Sequence, residues 1–154
     1  MASLPTTLVI FGASGDLTQR KLLPALFNLQ RKSRLSGPLR IVGFARRPWS
    51  DDDFRAQLRA GLEQFAPKDF DPARWEAFAA NIHSFRGALT TAADFERLEQ
   101  VLAALEGGPT HRLYYLATAP EYYNPIAGLL GSAGLAQEHG PEAGYRRLVV
   151  EKPF

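Results

Sequence analysis

Cysteine is absent from the 154 residues, and only three histidines are present. Without a thiol there is no disulfide framework, no thiolate zinc site and no cysteine nucleophile. No apolar run approaches the roughly 20 residues of a membrane span, and residues 1–5 lack the charged start and long apolar stretch of a secretory signal. A strong charge bias is missing too: 18 Lys and Arg stand against 16 Asp and Glu, a net charge of +2. That balance does not by itself imply a nucleic-acid partner. The basic groups Arg31, Lys32, Arg34, then Arg40, Arg46, Arg47, then Arg146, Arg147 each adjoin an apolar run and read as solvated edges. Tyr122 and Tyr123 sit at a predicted helix start and not along a basic groove, which argues against base stacking. The expectation is a soluble cytoplasmic protein with neither a membrane nor a nucleic-acid partner. A chain of about 150 residues fits one domain and buries enough surface to need no staple.

What is present is an alternation of short apolar runs with longer helical patterns, the mark of βαβ units and a parallel sheet. Residues 7–11 (TLVIF) form a continuous apolar run of strand length, suited to burial on both faces, and stop at Gly12. From Asp16 the period becomes helical, through Leu17, Leu22, Leu23, Leu26 and Phe27, and fades at 33–36 before Gly37-Pro38. Pro24 lies inside that pattern and predicts a kink or a broken first half. Residues 39–45 read as the second strand, Ser50 and Asp53 as a capping box, and 73–80 as a second short helix after a Pro-rich turn. A third strand is predicted over 82–89, and a helix capped by Thr91 over 92–105, ended by Gly107-Gly108-Pro109. A fourth strand over 112–117, a helix over 121–134 and a fifth strand over 146–151 complete the chain. The expected fold is α/β, a doubly wound parallel sheet of the Rossmann-like dinucleotide-binding kind in one domain, with strand order 3-2-1-4-5. Residue 154 falls just after a strand whose carboxyl end should face a ligand, so the chain is expected to belong to a longer protein.

The sharpest local feature is Gly12-Ala13-Ser14-Gly15-Asp16-Leu17-Thr18 directly after the first strand. Glycine permits a tight turn and close backbone approach, and the positive end of the following helix favours an anion such as pyrophosphate. The spacing is G-x-x-G, with Ser14 and Thr18 where the G-x-G-x-x-G fingerprint has glycines. Glycines that end strands for steric reasons alone remain an alternative on spacing. No P-loop motif exists in the chain. At the end of the second strand, where NAD-binding folds place an acid for the ribose hydroxyls, this chain has Arg46 and Arg47, and no acid until Asp51. A guanidinium can hold a 2′-phosphate bidentately, which favours NADP; an exposed basic turn is the other reading. Lys21 lies near the helix start, where a cation opposes the helix dipole and needs compensation, as from an anionic ligand; an ordinary surface lysine is the other reading.

Residues 11–18 with Lys21, Leu22, Pro24 and 27–29, then 41–46 (IVGFAR), then 115–120 (YLATAP), then 151–154 (EKPF), closely resemble glucose-6-phosphate dehydrogenase. The resemblance implies an NADP-binding coenzyme domain followed by an α+β substrate and dimerisation domain that this chain lacks, in a homo-oligomeric parent. Position by position, Gly12, Ala13, Ser14, Gly15, Asp16 and Leu17 resemble the dinucleotide turn and Arg46 the 2′-phosphate anchor. Thr118, Ala119 and Pro120 resemble the loop beside the coenzyme, and Leu89 loosely resembles an adenine contact. Lys152 and Pro153 resemble the lysine and proline between nicotinamide and sugar phosphate, with Lys21 directed to the same glucose 6-phosphate junction. The implied reaction is oxidation of glucose 6-phosphate to the lactone in the pentose phosphate pathway, with hydride passing to NADP. The family's catalytic histidine lies in an Asp-His-Tyr block that is absent here, so no catalytic residue is assigned and this chain alone is expected to be inactive. His83, His111 and His139 read as structural or surface residues. Two alternatives are a non-catalytic NADP sensor and an atypical short-chain reductase. The latter is disfavoured because no tyrosine has a lysine four residues on.

Overall fold

A computed structural model of the chain describes residues 4–15, 18–31 and 37–150. Asp16, Leu17, Lys152 and Pro153 lie outside the described residues. The strands are β1 (Thr6–Phe11), β2 (Leu39–Ala45), β3 (Ile82–Arg86), β4 (His111–Leu116) and β5 (Arg146–Val150). The helices are α1 (Leu23–Arg31), α2 (Asp51–Phe65), α3 (Pro72–Ala79), α4 (Ala92–Glu106) and α5 (Tyr123–Ser132). All strand pairs are parallel and the order is β3-β2-β1-β4-β5, as the alternating pattern predicts.

Parallel strands covered on both faces must be apolar on both, and the burial pattern follows that rule. Leu8 and Ile10 of β1 face one way, with Leu23, Phe27, Phe54, Leu58, Leu62, Trp75 and Phe78 from α1, α2 and α3. Val9 and Phe11 face the other way, with Phe95, Leu98, Leu102, Ile126 and Leu130 from α4 and α5. The chain moves from β1 outward to β2 and β3, then returns to the other side of β1 for β4. In open sheets of this kind such a reversal marks the carboxyl ends of the flanking strands, here β1 and β4, as the place where a ligand binds. Phe11 is in register with both Phe44 and Leu116, so β1 and β4 end level with one another and β2 runs one residue further.

Pro24 breaks the first helix as predicted. Its ring conflicts with the carbonyl four residues back and it has no N–H to donate. The chain answers with a wider π-helical turn over Thr18–Leu22, and the regular helix starts at Leu23 with Pro24 second, where the missing donor is no loss. The capping box also forms. Asp53 N–H donates to Ser50 Oγ at 3.0 Å, and Ser50 N–H donates to Asp53 Oδ2 at 3.2 Å.

Several details differ from the sequence reading. The third strand ends at Arg86 and not at residue 89: Gly87 N–H still reaches the Ala45 carbonyl at 2.9 Å, but Ala88 N–H turns to Asp94 Oδ2 at 2.9 Å. Thr91 occupies the N-cap position of α4 without a side-chain cap hydrogen bond. The last crossover helix begins as a 3₁₀ turn over Pro120–Tyr122 and ends at Ser132.

Tyr114 gives the fold an alkaline limit. Its ring is buried in the sheet and its hydroxyl donates to the Leu135 carbonyl. Burial pushes its pKa from 10.0 up to about 12, with the Arg112 charge opposing. The unfolded chain therefore gives up this proton first. The contribution is complete below pH 10 and declines as pH rises towards 12, in total about 3 kcal/mol. Urea unfolding between pH 9 and about 11.5 should show this loss, and Tyr114→Phe should remove most of the slope there.

Candidate functional site

β1 leaves the sheet at Gly12, whose φ of +84° is a left-handed conformation that a side chain disfavours. A Cβ at this position would stand 2.5 Å from the Ala117 carbonyl oxygen and 3.0 Å from Thr118 Cγ2. The turn after β1 is thus seated on the chain that leaves β4. Gly12 and Ala13 N–H both donate to the Phe44 carbonyl, at 3.0 and 3.2 Å, and Gly15 N–H closes the turn onto the Gly12 carbonyl at 3.0 Å.

These bonds refine the sequence reading, in which the amides of this segment approach an anion as a set. The N–H groups of Gly12, Ala13 and Gly15 shape the turn. Among the described residues the Ser14 N–H makes no hydrogen bond. Behind the turn, Thr18 Oγ1 is buried without a partner at the start of the π-helical segment. A buried hydroxyl in that condition costs about 1–3 kcal/mol. An uncommitted amide and an orphaned hydroxyl beside this tight turn fit a site for an anionic group.

The second arm of the site starts two residues past Phe44. Arg46 is exposed and lines a cleft of about 310 Å³ with Arg86, Gly87, Ala88, Asp94 and Arg97. Arg47 instead stacks over the Trp49 ring, 5.5 Å from its centroid, so the structure separates two arginines that position at the strand end alone left equivalent. Arg86, Asp94 and Arg97 were not singled out by sequence reasoning. The available signal was the spacing of Asp94 and Arg97, three residues apart and so on one side of a helix. Asp94 is held below the usual carboxylate range, first by the Ala88 N–H and then by Arg97, against the upward push of burial.

The remaining candidate residues divide. Thr118 is half-buried against Gly12, and its hydroxyl donates to the Ala119 carbonyl at 3.3 Å. Ala119 and Pro120 are exposed and start the 3₁₀ turn. Leu89 packs against the core beneath α4 and α5 and does not line the Arg46 cleft; Gly87 and Ala88 do. Lys21 is exposed and forms no ion pair among the described residues.

Two of the histidines have structural partners. His83 Nδ1 lies 3.3 Å from Asp51 Oδ2, joining β3 to α2. His111 Nδ1 accepts from Tyr145 N–H at 3.0 Å, and its ring stacks on Tyr145. Among the described residues no group of three or more His, Asp or Glu side chains could hold a metal ion, and no helix is long and apolar enough to cross a membrane. A larger groove of about 390 Å³ lies between α2 and α3, but its arginines are committed. Arg59 pairs with Glu63 at 2.9 Å and Arg55 with Asp52 at 3.8 Å.

Comparison with known proteins decides the family. The family model described as "Glucose-6-phosphate dehydrogenase, NAD binding domain" matches residues 9–154. The chain belongs to that family. Glucose-6-phosphate 1-dehydrogenase of Chlamydia muridarum is 38% identical over 155 residues, covering 97% of this chain and 31% of that protein. The Bacillus subtilis enzyme is 35% identical over 150 residues, covering 96% of this chain and 29% of its own length. A solved glucose-6-phosphate dehydrogenase in complex with glucose 6-phosphate superposes with a TM-score of 0.82 at 30% identity, over 100% of this chain and 32% of that one. The enzyme from Mycobacterium avium gives 0.80 at 28% identity, over 97% of this chain and 30% of its own. The chain thus spans about 30% of the length of the glucose-6-phosphate dehydrogenases it matches. Its five-stranded parallel sheet is the Rossmann-like NAD(P)-binding domain of that family.

Proposed function

We propose that this domain binds NADP across the carboxyl edge of β1, β2 and β4, and serves a glucose-6-phosphate dehydrogenase that oxidises glucose 6-phosphate to its lactone. Bound NADP supplies the hydride acceptor of that reaction. Gly12 and Gly15 keep side chains out of the turn, so that the pyrophosphate meets backbone and the positive helix end. Ser14 N–H and Thr18 Oγ1 are the polar groups left for it. By the family resemblance Asp16 and Leu17 belong to the same coenzyme-binding segment, and Thr118, Ala119 and Pro120 approach it from the end of β4. Lys21 supplies positive charge towards the sugar phosphate, with Lys152 and Pro153 beside the nicotinamide. No residue of this chain is assigned the base that removes the sugar hydroxyl proton.

The observation that carries the coenzyme choice is Arg46, standing where an NAD-specific fold needs an acid and opening into the basic cleft. Hydrogen bonds to a charged group are worth about 1.5–3 kcal/mol, so a single good contact gives about tenfold discrimination or more. Calorimetric titration of the chain should find NADP bound more tightly than NAD. Arg46→Ala should weaken NADP about tenfold or more and leave NAD nearly unchanged. Equal losses for both coenzymes would remove the assignment.

A further inference from the structure

The cleft beside Arg46 holds three guanidinium groups and one carboxylate, an imbalance that the family resemblance does not account for. Among the described residues neither Arg46 nor Arg86 forms an ion pair. The carboxylate is Asp94, and both its oxygens are engaged: Oδ2 accepts the Ala88 N–H at 2.9 Å and Oδ1 takes Arg97 Nη2 at 3.2 Å. Arg97 is itself held in place. Its guanidinium lies 4.2 Å from the centroid of the Phe85 ring and donates to the Arg86 carbonyl as well as to Asp94.

A carboxylate at the edge of this cleft has two possible effects on an adenine dinucleotide. Left unpaired, it would accept from the ribose hydroxyls of NAD and repel a 2′-phosphate. Paired with Arg97, it is neutralised and its acceptor positions are occupied, while Arg46 and Arg86 remain uncompensated across the cleft. A phosphomonoester carries about −1.5 to −2 charges near neutral pH and offers three acceptor oxygens, which suits two free guanidinium groups.

We propose that Arg86 and Arg97 are coenzyme-specificity residues of this domain: Arg86 binds the adenosine 2′-phosphate opposite Arg46, and Arg97 positions that site by keeping Asp94 paired. The inference rests on the NADP reading above and adds two residues to it. Arg86 is to be a direct ligand; Arg97 acts through Asp94 and the Arg86 backbone.

The test titrates the chain and its variants with NADP, NAD and adenosine 2′,5′-bisphosphate, with thermal melts as a check on folding. Arg86→Ala should weaken NADP and the bisphosphate about five- to tenfold while NAD changes less than about twofold. Arg97→Ala frees the Asp94 carboxylate, so NADP should weaken about tenfold and NAD should hold or tighten. Adding Asp94→Asn to Arg97→Ala should recover most of the NADP affinity, a rescue that a purely structural role for Arg97 does not produce. If Arg97→Ala fails to fold, Arg86→Ala and Arg97→Lys decide, the latter expected to retain the preference because it keeps a cation beside Asp94. Equal losses of NADP and NAD in Arg86→Ala, or no rescue by Asp94→Asn, overturns the inference even where Arg46→Ala is selective. If Arg46→Ala is also unselective, the NADP reading itself fails, and this inference with it.

Discussion

Gly12→Ala should destabilise the domain by about 3 kcal/mol and remove measurable coenzyme binding. Two effects combine. A side chain at φ +84° carries the left-handed penalty of about 1–2 kcal/mol, and the new Cβ would sit 2.5 Å from the Ala117 carbonyl oxygen. Both partners in that clash belong to the backbone or are fixed to it, so no rotamer relieves it. The ends of β1 and β4 would have to part, straining the hydrogen bond from Ala117 N–H to the Phe11 carbonyl at 2.9 Å. The Thr118 loop and the glycine turn would move with them. Gly107 is the natural control: its φ is +66°, but a Cβ there meets nothing within 4 Å. Gly107→Ala should cost only about 1 kcal/mol and leave NADP affinity unchanged. Urea unfolding and NADP titration of both variants measure the difference.

The second large effect lies at the opposite end of the sheet. Arg112→Met should cost about 3–5 kcal/mol in urea unfolding and leave coenzyme affinity of the folded variant intact. Arg112 is 3% exposed within β4. Its Nε and Nη2 grip Glu106, the latter at 2.8 Å, and Nη1 reaches Glu99 at 2.6 Å. Burial alone would lower the guanidinium pKa; the hydrogen bonds it donates to Glu106 and Glu99 outweigh that and raise the value. The Glu106 side chain is only 4% exposed, so removing the arginine strands a buried carboxylate. Glu106→Gln added to Arg112→Met should therefore recover part of the loss. The cluster joins the end of α4 to the start of β4, remote from the carboxyl edge, which is why binding should be spared.

This contrast between the two ends of the sheet also marks what was legible in the sequence. The strand order, the glycine turn and the Ser50 capping box follow from local patterns, because continuous apolar runs, G-x-x-G and S-x-x-D each have a short-range cause. Pro24 likewise forecast the broken helix start through its ring alone. Arg112 read as an ordinary strand opening, since its partners come from a helix and only the folded chain brings them together. Leu89 looked like a strand residue because apolarity continues past Arg86, whereas Asp94 draws Ala88 out of the ladder. Three amides of the glycine turn are committed to carbonyl oxygens, two of them to that of Phe44 on the neighbouring strand, which only the register of β1 with β2 reveals. The Arg86, Asp94 and Arg97 cleft arises in the same way, from a strand end and a helix start that spacing alone does not join.

The most direct test of the central claim is an amide chemical-shift titration of the isotopically labelled chain with NADP. The account predicts saturable perturbations concentrated at Ser14, Gly15, Thr18, Arg46 and Thr118, with those at Arg46 absent when NAD is used. Perturbations confined to the groove between α2 and α3, around Arg55, Arg59 and Trp75, would contradict it.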